Sequence, residues 1–232
     1  MKMKAVIFDL FGTLVEDFTF SIGKTNPTLA EVLDVPQESF AQIWRETSDL
    51  RVNGTFQTVE ESILHVCEAI GARVTPQKLE GAVQTRLQQI KGGLEPKPDA
   101  IATLTRLKQS GYRLGLLSNC SIEIPTLWAE TEFGHLFDTT VFSSRECLKK
   151  PDPAIFRLAC ERLGVPPKAC LYVADGENYE LAAAASVGLH PLLIPNHLAR
   201  RRPKLFREAE QWQGDKVYDL TEIITILNER SH

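Results

Sequence analysis

The sequence contains no apolar run close to the roughly 18 residues needed for a membrane-spanning helix, so it points to no membrane partner. It has no C-x-x-C pair, and its five cysteines (Cys67, Cys120, Cys147, Cys160 and Cys170) are odd in number. That pattern indicates neither a disulfide framework nor a zinc ribbon, and the cysteines read as reduced small hydrophobes. The five histidines are scattered without ligand spacing, which gives a zinc or histidine-based mechanism little support. An excess of basic charge is missing too: the net charge is −4 and the pI near 5.8, with no electrostatic footprint for nucleic acid. The apolar run after Met1-Lys2-Met3-Lys4 meets Asp9 too soon to serve as a secretory signal. Internal repeats and low-complexity tracts are absent. These absences leave a small molecule as the expected partner, the cytoplasm as the default compartment, and a monomer or homodimer as the assembly.

What is present suits a globular enzyme. A hydrophobic fraction of 43% with 24% charged residues is an ordinary folded balance, and 232 residues can bury one large core or two smaller ones. Ala5-Val6-Ile7-Phe8 is a continuous apolar run, as a strand buried on both faces of a parallel sheet requires. Leu114 to Leu117, Thr140 to Phe142, Cys170 to Val173 and Leu192 to Ile194 have the same character. Helical patterns separate them: Pro98 to Ser110, Pro153 to Leu163, and about Asn178 to Val187, each followed by glycine. Strands alternating with such helices predict βαβ units with right-handed crossovers.

The alternation breaks once. Between the first strand and Pro98 the chain carries helical signals and almost no strand signal, which predicts an inserted helical domain over residues 17–93. The core is then residues 1–16 and 94–232. Thr28-Leu29-Ala30-Glu31 and Thr58-Val59-Glu60-Glu61 both fit the capping box. Thr75-Pro76 supplies a third helix start, and a helix from about Pro36 places Phe40, Ile43 and Trp44 on one face. Trp44, Phe40 and Phe56 read as the insert's own core.

In an open parallel sheet, ligands bind beyond the carboxyl ends of the strands. The first strand ends at Asp9, the second at Ser118-Asn119, the third at Ser143-Ser144 and the fourth at Asp175, with Lys150 in a loop leading to the next helix. Two carboxylates, a hydroxyl and a lysine on one edge suit a divalent cation and an anionic substrate.

Asp9-Leu10-Phe11-Gly12-Thr13, Ser118, Lys150-Pro151-Asp152-Pro153, and Asp175 with Glu180 resemble the four ordered motifs of the haloacid-dehalogenase-like hydrolases. The resemblance covers residues 1 to about 16 and 94 to 200. It implies an α/β fold, a Rossmann-like parallel sheet core with an inserted helical cap domain that closes over the site. It further implies a hydrolase that acts on a small phosphorylated metabolite through an aspartyl-phosphate intermediate. Asp9 is then the nucleophile. The Thr13 hydroxyl and neighbouring amides hold substrate oxygens where Gly12 turns the chain off the strand. Ser118 donates to the same group, Asn119 stands beside it as a substrate contact, and Lys150 offsets developing negative charge. Asp9, the backbone carbonyl of Phe11, Asp175 and Glu180 form the implied Mg²⁺ set. The lysine and the cation together are expected to keep the Asp9 pKa low.

The sequence departs from that pattern in two places. The family's phosphatases usually carry a second Asp two residues after the nucleophile, to protonate the leaving oxygen and later activate water; here the residue is Phe11. Haloacid dehalogenases of the same superfamily have an aromatic residue there and work without a metal, which keeps a dehalogenase, or a binding module without turnover, open as alternatives. Glu180 stands where Asp is more usual, one methylene longer. The carboxylates at Asp175, Glu177 and Glu180 favour the phosphatase, because such anions beside Asp9 need a cation; Glu177 itself reads as a surface or supporting residue. In the insert, Lys24, Arg45, Arg51 and Asn53 have the chemistry to meet the rest of a charged substrate, and Arg51 and Lys24 are the substrate-binding candidates. Lys149 and the cluster His197, Arg200, Arg201, Arg202, Lys204 and Arg207 read as solvated.

Overall fold

The computed structural model describes residues 2–16, 27–196 and 203–230. After β1 (Ala5–Phe8) come five helices, α1 (Leu29–Leu33), α2 (Gln37–Glu46), α3 (Ser48–Val52), α4 (Val59–Ala69) and α5 (Pro76–Lys91). Strands and helices then alternate through α6 (Ala100–Gln109), β2 (Arg113–Ser118), α7 (Glu123–Leu127), β3 (Thr139–Phe142), α8 (Ser143–Glu146), α9 (Pro153–Leu163), β4 (Cys170–Ala174), α10 (Glu180–Ser186) and β5 (His190–Leu193), with α11 (Arg207–Gln211) and α12 (Glu222–Glu229) closing the chain. The five strands form one parallel sheet in the order β3-β2-β1-β4-β5. This is the α/β, Rossmann-like architecture that the alternating sequence pattern implies.

The sheet is buried on both faces because its strands alternate between two cores. Val6 and Phe8 of β1, with Leu114, Leu116, Leu171 and Val173, pack beneath α6 and α12. Ala5 and Ile7, with Leu117, Tyr172 and Ala174, pack against α9 and α10. Because β1 lies between β2 and β4, the residue that follows it, Asp9, emerges at the middle of the carboxyl edge. The Asp9 N–H donates to the Val173 carbonyl at 2.9 Å, which fixes the backbone there.

The helices between β1 and α6 build a third apolar cluster from Leu29, Leu33, Phe40, Val59, Ile63, Val66 and Val83, joined by Ile122 from the sheet domain. Trp44 packs against that cluster, stacked on Phe40 with centroids 5.7 Å apart. The chain enters and leaves this insert side by side: Val15 pairs antiparallel with Pro96, and Lys97 N–H donates to the Leu14 carbonyl at 2.8 Å.

Local signals explain most of the helix ends. Thr28 forms a full capping box, its oxygen accepting from Glu31 N–H while Glu31 accepts from Thr28 N–H. Thr58 forms only half of one, since the Glu61 carboxylate accepts from Gln57 N–H at 2.6 Å instead of from Thr58. The helix read from about Asn178 begins at Glu180, because Asn178 and Tyr179 both take left-handed backbone angles (φ 52 and 61) and split off a short 3-10 turn. That break delivers Glu180 at the start of α10. Among the described residues no helix is long and apolar enough to cross a membrane, and all five cysteines are free.

Candidate active site

Four buried charged groups meet at the carboxyl edge. The Lys150 ammonium donates to Asp9 Oδ1 at 2.6 Å and to Glu180 Oε2 at 2.6 Å. It also reaches the Tyr172 hydroxyl at 3.2 Å, and that hydroxyl donates to the same Glu180 oxygen at 2.6 Å. Thr13 donates its hydroxyl to Asp9 Oδ2 at 3.0 Å. Asp9, Asp175 and Glu180 each bring a ligand oxygen within 4.8 Å of the others, and each of the three side chains is buried. Three carboxylates thus face one ammonium.

The loop after β1 explains how these groups come so close. Gly12 has φ +78, and a Cβ built on it would lie 2.1 Å from Asp175 Oδ2 and 2.3 Å from Asn196 Nδ2. Only glycine fits both the turn and the space. Its carbonyl accepts from the Lys97 ammonium, tying the turn to the segment that returns from the insert. Asp175 is held by two donors, Asn196 Nδ2 on Oδ2 at 2.9 Å and Glu177 N–H on Oδ1 at 3.2 Å. Phe11 is half-buried against the core beneath α6.

On the neighbouring strand, Ser118 is fully buried and its hydroxyl has no hydrogen-bond partner. Such a group is costly unless something completes it, and it stands one residue from Asn119. Asn119 clamps Lys150: its Nδ2 donates to the Lys150 carbonyl at 2.9 Å and its Oδ1 accepts from Lys150 N–H at 2.8 Å. Ser143 bridges β2's end and α3, accepting from Cys120 N–H and donating to the Val52 carbonyl.

The electrostatics follow from crowding. Burial lifts the Asp9 carboxyl from its ordinary 3.8 to about 6; Lys150 opposes the rise and Glu180 adds to it. The low value expected from the sequence requires the cation as well as the lysine; the lysine alone does not outweigh burial and a second anion. Asp175 is raised well above the usual range by burial, then by Glu180 and Asp9. Burial works against the Lys150 ammonium, but Asp9 and Glu180 more than compensate and hold it firmly protonated.

The insert's candidates are placed differently. Arg51 is buried, its guanidinium 4.0 Å from the Trp44 ring centre and donating to Trp44 O and Thr47 Oγ1. Arg45 is exposed near the end of α2, and Asn53 turns its side-chain oxygen onto Thr55. Lys24 lies outside the described residues, as do His197, Arg200, Arg201 and Arg202. Lys149 pairs with Asp49 of α3. Tyr172, Asn196, Lys97, Arg86 and Glu123 escaped sequence reasoning. Tyr172 and Glu123 sit inside apolar stretches, and the other three carry no local motif. The polar residue interrupting the apolar run at Tyr172 was the one available signal.

A family model described as haloacid dehalogenase-like hydrolase matches residues 3–188. Among relatives, an (S)-2-haloacid dehalogenase of Burkholderia cepacia is 26% identical over 204 residues, covering 83% of each chain. A glyceraldehyde 3-phosphate phosphatase of Methanopyrus kandleri is 27% identical, covering 94% of this chain and 91% of its own. In fold, the chain is similar to a solved 2-haloacid dehalogenase from Pseudomonas syringae, with a TM-score of 0.71 at 20% identity, covering 98% and 99% of the two chains. It is also similar to a Bacteroides thetaiotaomicron enzyme solved with magnesium and inorganic phosphate, with a TM-score of 0.61 at 19% identity, covering 84% and 96%.

Proposed function

The chain belongs to the haloacid dehalogenase-like hydrolases, and on that footing we propose that it is a Mg²⁺-dependent phosphatase of a small phosphorylated metabolite. The observation that carries this reading is the charge count: Asp9, Asp175 and Glu180 crowd within 4.8 Å while, among the described residues, Lys150 is the one cation paired with them. A buried cluster with two negative charges in excess must take up protons or a cation. The donor set is all oxygen, which suits magnesium, a hard ion that takes few protein carboxylates and fills its shell with water and phosphate oxygens. Asp9, Asp175 and the Phe11 carbonyl would carry most of the coordination, since Glu180 is already committed to Lys150 and Tyr172. When bound, the ion supplies positive charge that restores Asp9 as an anion and draws charge from the phosphoryl group.

The chain's own residues do the rest. Asp9 attacks phosphorus, an oxygen–phosphorus bond forms as the ester bond breaks, and water later cleaves the acyl phosphate to regenerate Asp9. Lys150 stays protonated and offsets charge on the transferring group, held in place by Asn119 on its backbone. The unpartnered Ser118 hydroxyl and the Gly12–Thr13 turn receive phosphate oxygens. Residues 17–93 act as the cap over the core of residues 1–16 and 94–232, and closure excludes water during the first displacement. Phe11 offers no proton to the leaving oxygen, so substrates with good leaving groups react faster.

That same phenyl group favours a second reading, metal-independent dehalogenation, because halide departs without a proton, and the chain is similar to proteins named as 2-haloacid dehalogenases. The two readings separate in one assay: an aryl phosphate and a 2-haloacid, each with Mg²⁺ and with chelator. Phosphate release that vanishes with chelator supports the phosphatase. Halide release that persists with chelator overturns it.

A further inference from the structure

The insert and the core share a second charged centre, apart from the carboxylate cluster. Two guanidiniums lie over the indole of Trp44, Arg51 at 4.0 Å and Arg86 at 5.1 Å from the ring centre. Arg86, from α5, donates to Glu123 Oε1 of α7 at 2.6 Å, and both side chains are buried. Arg51, from α3, has only neutral acceptors, the Trp44 carbonyl of α2 at 2.8 Å and Thr47 Oγ1, between the two helices, at 3.2 Å. Among the described residues no carboxylate makes an ion pair with it. Two buried cations therefore share one carboxylate, and the centre carries one positive charge in excess.

A buried, unpaired cation is costly, and its retention calls for a partner. Arginine is the side chain best suited to recruit one, because its planar fork fits an oxyanion in bidentate fashion and also stacks on an aromatic face. The centre adjoins the reaction site. Glu123 lies five residues beyond Ser118 in the chain. Cys120 stands between them, buried, and its N–H donates to Ser143 Oγ at 3.0 Å. Ser143 in turn donates to the carbonyl of Val52, the neighbour of Arg51, so hydrogen bonds connect the reaction edge to α3.

We infer that Arg51, backed by Arg86 and Trp44, binds a second oxyanion of the substrate, so that the hydrolysed molecule carries a carboxylate or a second phosphate besides the phosphoryl group taken by Asp9. Arg86 stays paired with Glu123 and sets the position of the indole. Arg51 exchanges its neutral acceptors for the incoming anion. The inference rests on the phosphatase reading for the first anion, and its test is a binding measurement that needs no turnover.

The probes are simple alkylphosphonates of increasing chain length, each compared with its counterpart bearing a terminal carboxylate or a terminal second phosphonate. Calorimetry on the Mg²⁺-loaded protein should show the doubly anionic probe binding about tenfold tighter or more at the best chain length, as charge-assisted hydrogen bonds predict. The terminal group that gains more identifies which oxyanion the centre takes. Arg51→Met should abolish the preference and leave the plain alkylphosphonate's affinity unchanged; that unchanged affinity also certifies folding. Arg51→Lys should retain part of it. Plain alkylphosphonates binding as tightly as their doubly anionic counterparts in the unaltered protein would overturn the second centre alone, as would an equal loss for both probes in Arg51→Met. Absence of binding by every phosphonate would overturn the phosphatase reading as well.

Discussion

Stripping the divalent cation from the carboxylate cluster should make the folded chain less stable as pH rises from about 5 to about 7.5, and adding Mg²⁺ should flatten that dependence. The folded state holds the Asp9 proton more tightly than the unfolded state does, with the pKa raised from 3.8 to about 6 chiefly by burial. Between those values the folded chain binds more protons, so stability falls as pH rises, and the full penalty is present above about pH 6. The whole displacement corresponds to about 3 kcal/mol at about 1.4 kcal/mol per pH unit, of which about 1.4 kcal/mol is lost above pH 5, a fall in Tm of about 3–6 °C for a chain of this size. Asp175, also raised, acts in the same direction. A bound dication pulls both carboxyls back down and removes the difference. Burial also raises Glu208, which caps the Leu181 and Ala182 amides, and Glu180 adds to the rise. The burial part of that contribution survives in the presence of metal and cancels when the two curves are subtracted. Glu123 is displaced downward, so it titrates below the pH range measured. Differential scanning calorimetry across pH, with Mg²⁺ and with chelator, gives both curves. Parallel curves, or a metal-free slope unchanged in Asp9→Asn, would refute the charge argument.

Phe11→Asp should raise kcat on alkyl phosphates at least about tenfold, toward the 10²–10⁴ range of general acid–base catalysis, with little change on an aryl phosphate; steady-state kinetics on the two esters check it. Gly12→Ala should abolish activity and Mg²⁺ binding together, because the new Cβ falls 2.1 Å from Asp175 Oδ2, and the left-handed backbone alone costs about 1–2 kcal/mol. Calorimetric titration with Mg²⁺ and thermal melting test both parts. Tyr172→Phe removes a donor from buried Glu180 and should destabilise the fold by about 1.5–3 kcal/mol. Glu180→Asp pulls the carboxylate back by one methylene and should lose the same bond. Urea unfolding of the two single variants and the double variant should then show the losses failing to add, by about 1 kcal/mol. Additive losses would mean that the two side chains do not act as a unit.

The sheet was legible because a parallel strand buried on both faces leaves a plain mark. Ala5 to Phe8 alternates between two cores, so every position is apolar and no polar residue breaks the run until Asp9. The carboxyl edge was legible for the same reason, since the first polar residue after such a run must lie where the sheet meets solvent or a ligand. Helix starts were legible where a threonine could reach the amide three residues on, as at Thr28 and Thr75. At Thr58 the same pattern yielded half a box, because Glu61 found Gln57 N–H instead, a choice between adjacent donors that spacing does not decide.

The partners that tune the site left no such mark, because each is defined by a contact across the fold. Asn196 steadies Asp175 from beyond β5, 21 residues away; Glu123 reaches Arg86 across 37 residues, from α7 to α5; Tyr172 meets Lys150 across 22. In the sequence Tyr172 is one more strand residue, and only the register of β4 against β1 turns its hydroxyl toward the Asp9 edge. The same limit applies to charge. Composition gives the whole chain four excess negative charges, yet the reaction site concentrates three carboxylates against one lysine, while the neighbouring centre sets two arginines against one glutamate. A cation at the first centre and an oxyanion at the second would each offset a local imbalance that the whole-chain sum conceals. Those two imbalances describe the substrate's charge pattern more narrowly than any motif in the chain.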